Sequence, residues 1–254
     1  MKIFRVTYKL LILVSLALIA IPVMYVYSFT NKSSILNTKQ KQYRKKWLQR
    51  VVKAIGLEVQ VKGKATDEQS ALWIANHVSW MDIAVVGSQG VAFLSKSEVR
   101  KWPLIGWLGE KAGVIFIERG GKNASQKAGK AIAEKISDGD NILVFPEGTT
   151  STGENVMRFH ARIFAPALDH QLLVQPIAVH YQDEKGQFHP KVVWKDQSFM
   201  SNMIGILAQA RINVVVTFLP VIDAQNFSER RELAELIENQ IRDVVLSSSA
   251  MKIA

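Results

Sequence analysis

From Leu10 to Phe29 the chain reads LLILVSLALIAIPVMYVYSF, twenty positions without a charge. A helix rises about 1.5 Å per residue, so about 20 residues cover a hydrocarbon layer roughly 30 Å thick. Pro22 bends such a helix without forbidding it. Lys2, Arg5 and Lys9 stand before the run as in a cleaved secretory signal, yet the run outlasts a usual signal core and no small-residue cleavage pattern follows. A retained membrane helix is therefore expected. Beyond it, Tyr43, Trp47, Leu48, Val51, Val52 and Ile55 recur at helical spacing, and Lys41, Arg44, Lys45, Arg50 and Lys53 fill the rest of the surface. This spacing predicts an amphipathic basic helix over Lys39–Leu57, ended by Gly56 and suited to a layer of anionic lipid or to packing on a protein body.

From about residue 57 the period changes. Short β-branched or apolar runs at Leu57–Val61, Ala71–Ala75, Val91–Leu94, Val114–Ile117, Asn141–Phe145, Leu173–Val179 and Ile212–Phe218 read as strands. Helical stretches at Ser79–Gly87, Asn123–Ser137, Ser198–Ala210 and Ser228–Leu246 lie between or after them. The alternation predicts an α/β fold, a single mixed sheet flanked by helices, preceded by the membrane helix and the interfacial helix. Two parts are expected: residues 1–56 as anchor and basic helix, and 57–254 as one body.

Composition narrows the chemistry. The 254 residues include no cysteine, which excludes a disulfide framework, thiol catalysis and cysteine zinc sites. The formal charge of +10 calls for an anionic partner, and nucleic acid, acidic lipid and phosphorylated metabolites all qualify. Much of that charge follows the apolar run, at Lys32, Lys39, Lys41, Arg44, Lys45, Lys46, Arg50 and Lys53, which favours a membrane over nucleic acid. The same excess over the three basic residues before the run places the body on the cytoplasmic face.

Three segments carry candidate chemistry. Asn76-His77-Val78-Ser79-Trp80-Met81-Asp82 follows a strand and opens a helix, a junction where side chains are exposed but rigidly held. Five steps along one helix would carry His77 and Asp82 apart, but with His77 in the turn and Asp82 in the first helical turn the two can meet. The carboxylate then fixes one ring nitrogen and leaves the other as a base. Ser79-x-x-Asp82 also fits a helix cap, so this segment alone supports either role. Glu147-Gly148-Thr149-Thr150-Ser151 follows the strand ending at Phe145, where glycine and hydroxyls suit an anion or oxyanion and equally an ordinary turn. Arg119 and Lys122 close a third strand beside two glycines and could clamp a phosphate, with Lys96 a further cation at the same end of the sheet.

Together these segments resemble the glycerolipid acyltransferase family, whose best-known members are 1-acylglycerol-3-phosphate acyltransferases. Asn76-His77-x-Ser79-x-x-Asp82 is similar to the family's H-x4-D block, and Gly113-x-x-Phe116-Ile117-x-Arg119 to its second. Phe145-Pro146-Glu147-Gly148-Thr149-x-Ser151 is similar to the third, and Val174-x-Pro176-Ile177-Ala178-Val179 to the fourth. The resemblance covers roughly residues 47–220 and keeps the family's order. It implies a catalytic pair, His77 and Asp82, moving an acyl group from acyl-CoA or acyl-carrier protein to a lysophospholipid hydroxyl. It also implies substrate contacts at Lys96, Arg119, Glu147, Gly148 and Thr149, and no metal or organic cofactor. The acceptor expected first is 1-acyl-sn-glycerol-3-phosphate, giving phosphatidate. However, phosphatidate-forming members carry arginine where this chain has Thr150, which brings in lyso-ornithine lipid or another lysolipid as the alternative, with Arg158 or Arg162 as substitute cations. A hydrolase lacks its Gly-x-Ser-x-Gly elbow here, and a membrane-tethered lipid-binding module is the non-enzymatic alternative. His160, His170, His180 and His189 have no ligand-like spacing for a metal.

Overall fold

The computed structural model describes residues 1–30, 36–66, 69–103, 105–117, 124–194 and 197–250. In chain order the elements are α1 (Lys2–Thr30), α2 (Thr38–Ile55), β1 (Leu57–Lys62), β2 (Leu72–Ala75), α3 (Met81–Gly87), β3 (Ala92–Lys96), α4 (Ser97–Arg100), α5 (Ile105–Lys111) and β4 (Ile115–Ile117). Then follow α6 (Ala124–Ser137), β5 (Ile142–Val144), α7 (Ala165–Asp169), β6 (Leu173–Gln182), α8 (Phe199–Leu207), β7 (Ile212–Phe218), β8 (Ile222–Asp223) and α9 (Arg230–Ala250).

The strands form one mixed sheet in the order β1-β7-β6-β2-β5-β3-β4, with β8 pairing β6. Strands β6, β2, β5, β3 and β4 are mutually parallel, and β7 turns antiparallel to β6. A parallel strand covered on both faces must be apolar throughout. β2 meets that demand with Leu72-Trp73-Ile74-Ala75, all buried. Its alternation feeds two cores. Trp73 and Ala75 join Leu48 and Val52 of α2, Val85 of α3 and Ile206 of α8 on one face, and Leu72 and Ile74 join Ile132 of α6 and Ile237 and Ile241 of α9 on the other.

Helix α1 runs antiparallel to α2. Lys9 Nζ donates to the Ile55 carbonyl at 2.6 Å, Trp47 Nε1 to the Leu16 carbonyl at 3.1 Å, and the Tyr27 and Tyr43 rings meet edge-on at 5.8 Å. By length and composition Lys2–Tyr27 could cross a membrane, and its other side is largely exposed and apolar. Helix α2 begins on a capping box between Asn37 and Gln40 and ends on Gly56 at φ +89°, where a left-handed backbone favours glycine. One expectation for α2 needs correction. Arg44, read as a surface residue, is 2% exposed and holds Asp140 through both terminal nitrogens at 2.7 and 3.0 Å. The partner lies 96 positions away, out of reach of local periodicity.

Candidate active site

The C-terminal ends of parallel strands face one edge of the sheet, where such folds gather their chemistry. β2 delivers His77 to that edge, β5 delivers Glu147, and β3 ends at Lys96 in register with Ile117 of β4. Lys96 is exposed there, and Arg119 and Lys122 lie outside the described residues. Arg158 and Arg162 are exposed.

His77 sits in a turn held at several points. The Asn76 amide exchanges two hydrogen bonds with the Val179 backbone, at 2.9 and 2.8 Å, and ties the end of β2 to β6. The His77 N–H donates to Glu147 Oε1 at 2.6 Å, and its carbonyl accepts from the Ser151 N–H at 2.7 Å. The imidazole stacks on Phe145, with centroids 4.1 Å apart and planes 14° apart.

Asp82 lies in the first turn of α3 and reaches back over this turn. Its Oδ2 sits 2.8 Å from His77 Nδ1 and accepts the Val78 and Ser79 N–H groups at 2.7 and 2.9 Å. Its Oδ1 accepts the Tyr181 hydroxyl at 2.6 Å. The carboxylate is fully buried yet fully engaged, which is the condition for keeping a charge out of water. One carboxylate therefore does two things: Asp82 satisfies two N–H groups of the turn while fixing the imidazole, and α3 itself begins on Trp80 without a side-chain cap. An ionised Asp82 selects the tautomer with its proton on Nδ1, so Nε2 presents its lone pair. A hydroxyl brought to Nε2 would lose its proton to a base whose orientation is already set.

Tyr181 was not singled out by sequence reasoning. The signal was its place on β6 in alternation with Ile177 and Val179, which sends a phenol into the core where its hydroxyl must find a partner. Burial, then the neighbouring Asp82 charge, raises its pKa well above the ordinary value, so it remains a donor.

Glu147 is 2% exposed and braces two loops, accepting from His77 N–H through one oxygen and from Met157 N–H at 3.0 Å through the other. Burial raises its pKa to about 7, and the two backbone donors only partly offset that. Gly148 has φ +72°, and a Cβ there would come within 3.3 Å of the His160 ring. Its N–H closes the turn onto the Phe145 carbonyl at 3.2 Å, while Thr149 is exposed. The Thr150 hydroxyl donates to the Trp194 carbonyl at 3.1 Å. Among the described residues no group of three or more His, Asp or Glu stands together as metal ligands. A cavity lined by Thr66, Ser70, Gln171, Asp223 and Gln225 lies at the opposite edge, where β2 and β6 begin, and contains none of these residues.

Residues 56–180 match the family model described as Acyltransferase. The chain is 40% identical over 205 residues to the lyso-ornithine lipid O-acyltransferase of Pseudomonas aeruginosa, spanning 80% of this chain and 78% of that protein. It is 34% identical over 194 residues to the 1-acyl-sn-glycerol-3-phosphate acyltransferase of Neisseria gonorrhoeae, with 75% of each covered. The crystal structure of the 1-acyl-sn-glycerophosphate acyltransferase of Thermotoga maritima shares the fold, with a TM-score of 0.74 at 20% identity over 100% of this chain and 97% of that one.

Proposed function

The chain belongs to the acyltransferase family, and from that premise we propose that it transfers a fatty acyl group from a thioester donor to the free hydroxyl of a lysolipid, with His77 as general base. The observation that carries this reading is the 2.8 Å contact of His77 Nδ1 with a buried, fully engaged Asp82. His77 Nε2 takes the proton of the acceptor hydroxyl as its oxygen attacks the thioester carbonyl. The tetrahedral intermediate expels the thiolate, which recovers the proton from the imidazolium, and an ester leaves without a covalent acyl-enzyme. Asp82 stabilises the imidazolium and prevents the ring from turning. Tyr181 and Glu147 act through these two groups as positioning residues. Lys96, Gly148 and Thr149 are proposed to line the substrates at the same edge and Arg119 to contact the acceptor, with acyl-CoA or acyl-carrier protein as donor.

The acceptor favoured here is a lyso-ornithine lipid. The Pseudomonas relative carries that acceptor in its name, and Thr150 supplies a neutral hydroxyl already directed at the Trp194 carbonyl. A phosphate acceptor would gain a charge-assisted contact from a cation at that position, worth about 1.5–3 kcal/mol. Lysophosphatidate, the acceptor of the Neisseria relative's name, is the second reading, supported by the exposed Lys96. Helix α1 attaches the chain to a membrane, with residues 57–254 as the catalytic body on the cytoplasmic face. Because α1 lies along α2 from Lys9 to Tyr27, it meets the bilayer with its outward side rather than projecting away from the body. Purified protein given one labelled acyl-CoA and a panel of lysolipids tests the proposal. It should acylate lyso-ornithine lipid at least about tenfold faster than lysophosphatidate, a difference of about 1.4 kcal/mol. The reverse preference would overturn the acceptor assignment, and free fatty acid without an acylated lipid would overturn acyl transfer.

A further inference from the structure

Helix α8 buries Ile206 and Leu207 in the core together with one polar side chain, Asn202, and leaves further apolar side chains on its outer side. Asn202 is 2% exposed, accepts the Trp80 indole N–H at 3.0 Å and donates to the Val193 carbonyl at 2.9 Å. On the outer side, Phe199, Met200 and Ile204 are 40%, 56% and 45% exposed, and a Cβ built on Gly205 meets no atom within 4 Å. A helix facing water carries polar and charged side chains on its outer side, where α8 exposes only Ser201 beside three large apolar residues. Single exposed apolar residues are ordinary, but a stripe of them continuous with a second apolar surface marks an interaction site.

That second surface is α1. Arg5 Nη1 donates to the Ala208 carbonyl at 2.7 Å and Lys9 Nζ to the Gln209 carbonyl at 2.8 Å, which fixes the first turns of α1 at the C-terminal end of α8. These cations also suit the negative end of the α8 dipole. The outward side of α1 in this region carries Phe4 and Leu11, 78% and 62% exposed. At its other end α8 reaches the catalytic turn. The Phe199 ring packs edge-on against Trp80 at 5.6 Å and Trp194 at 5.5 Å, and Trp80 stands three residues after His77.

We propose that α8 is a second lipid-contacting element, with Phe199, Met200 and Ile204 entering the same leaflet that receives α1. The occupant is the acyl region of a phospholipid bilayer. Attachment to the first turns of α1, whose exposed side is apolar at Phe4 and Leu11 and leads into the uncharged run, favours hydrocarbon over a second protein copy, and indole rings beside Phe199 suit the interfacial layer. This inference rests on the reading of α1 as a membrane element and extends it to the catalytic edge. A lysolipid acceptor would then reach His77 past the Trp80–Phe199–Trp194 cluster while its chain remains in the leaflet.

The absence of cysteine allows a single label at any chosen position. An environment-sensitive fluorophore is placed on Ile204→Cys or Met200→Cys (α8), Leu11→Cys (α1) or Glu235→Cys (exposed on α9), in the full chain. Each is reconstituted in nanodiscs of phosphatidylcholine and phosphatidylglycerol in equal parts, with or without bromine on the acyl chains. The α8 and α1 labels should be quenched by brominated lipid at least about threefold more than the α9 label, as expected for residues at the headgroup–acyl boundary. Quenching at Leu11→Cys without quenching at both α8 positions would overturn the α8 inference and leave attachment through α1 standing. No quenching at either helix would overturn the α1 reading and the inference with it. Unquenched α8 labels that cross-link to a second copy would overturn the choice of lipid.

Discussion

Two buried carboxylates, Asp140 and Glu147, show how differently the same group is treated under α2 and at the His77 turn. Asp140 is matched charge for charge: Arg44 of α2 grips it through two nitrogens and also donates to the Ala112 and Gly90 carbonyls, at 3.0 and 3.4 Å. Glu147 is 2% exposed and rests on backbone N–H groups, and its pKa rises to about 7. Asp82 beside it relies on neutral donors and on the His77 ring. A full counter-ion locks a carboxylate, whereas backbone dipoles hold it in place and leave neighbouring groups free to change charge. Asp140 offsets part of its desolvation with a counter-ion, whereas Glu147 carries a cost in stability once it ionises.

Breaking the matched pair should have the largest effect on stability. Arg44→Met leaves Asp140 buried without its cation and should lower stability by about 3–5 kcal/mol, whereas Arg44→Met with Asp140→Leu should recover most of the loss. Thermal unfolding in detergent measures both. A double variant as unstable as the single one would show that the Arg44 contacts to backbone carbonyls matter more than the charge.

Glu147 should show itself through pH. Its folded pKa of about 7 lies above the reference value of 4.5. Between those values the unfolded chain has released its proton and the folded chain has kept it. Folding stability therefore falls as pH rises through this window, by up to about 3 kcal/mol at 1.36 kcal/mol per unit, and the full cost is carried above pH 7. In Glu147→Gln that component of the slope should vanish, read as the difference between the two melting-temperature profiles from pH 4.5 to 8. The same variant turns an amide N–H toward a backbone donor, so kcat should fall more than KM rises. A pH profile unchanged by the substitution would contradict the uncompensated burial.

The smallest effect is expected at Tyr181→Phe. Removing one O–H donor from the Asp82 carboxylate should cost about 1.5–3 kcal/mol in stability. It should also shift the pH dependence of kcat/KM, which a purely packing role would leave in place.

Most of the sheet was legible because its strands are short apolar runs with abrupt ends, Ile142-Leu143-Val144 of β5 among them. Short helices such as α4 and α7 have too few turns to leave a period, and they do not stand out in the pattern. At the site, the spacing of His77 and Asp82 carried their meeting, because a turn followed by one helical turn brings positions five apart together. The partners that make the pair rigid were less visible. Tyr181 is 99 positions from Asp82 and Glu147 reaches His77 across 70; away from the site, Arg44 is likewise 96 positions from Asp140. Local periodicity reports which side of an element a residue occupies, and long-range pairing is decided by strand order, here β2 lying between β5 and β6.

The role of His77 as base for acyl transfer is read most directly from labelled acyl incorporation by His77→Ala beside the unaltered chain. With lyso-ornithine lipid and acyl-CoA at saturation, the variant should lose about 10²–10⁴-fold in kcat, the usual contribution of a positioned general base. Its melting temperature and its attachment to vesicles should stay close to those of the parent. Turnover near the parental rate in a folded, membrane-bound His77→Ala protein would remove His77 from the role of base.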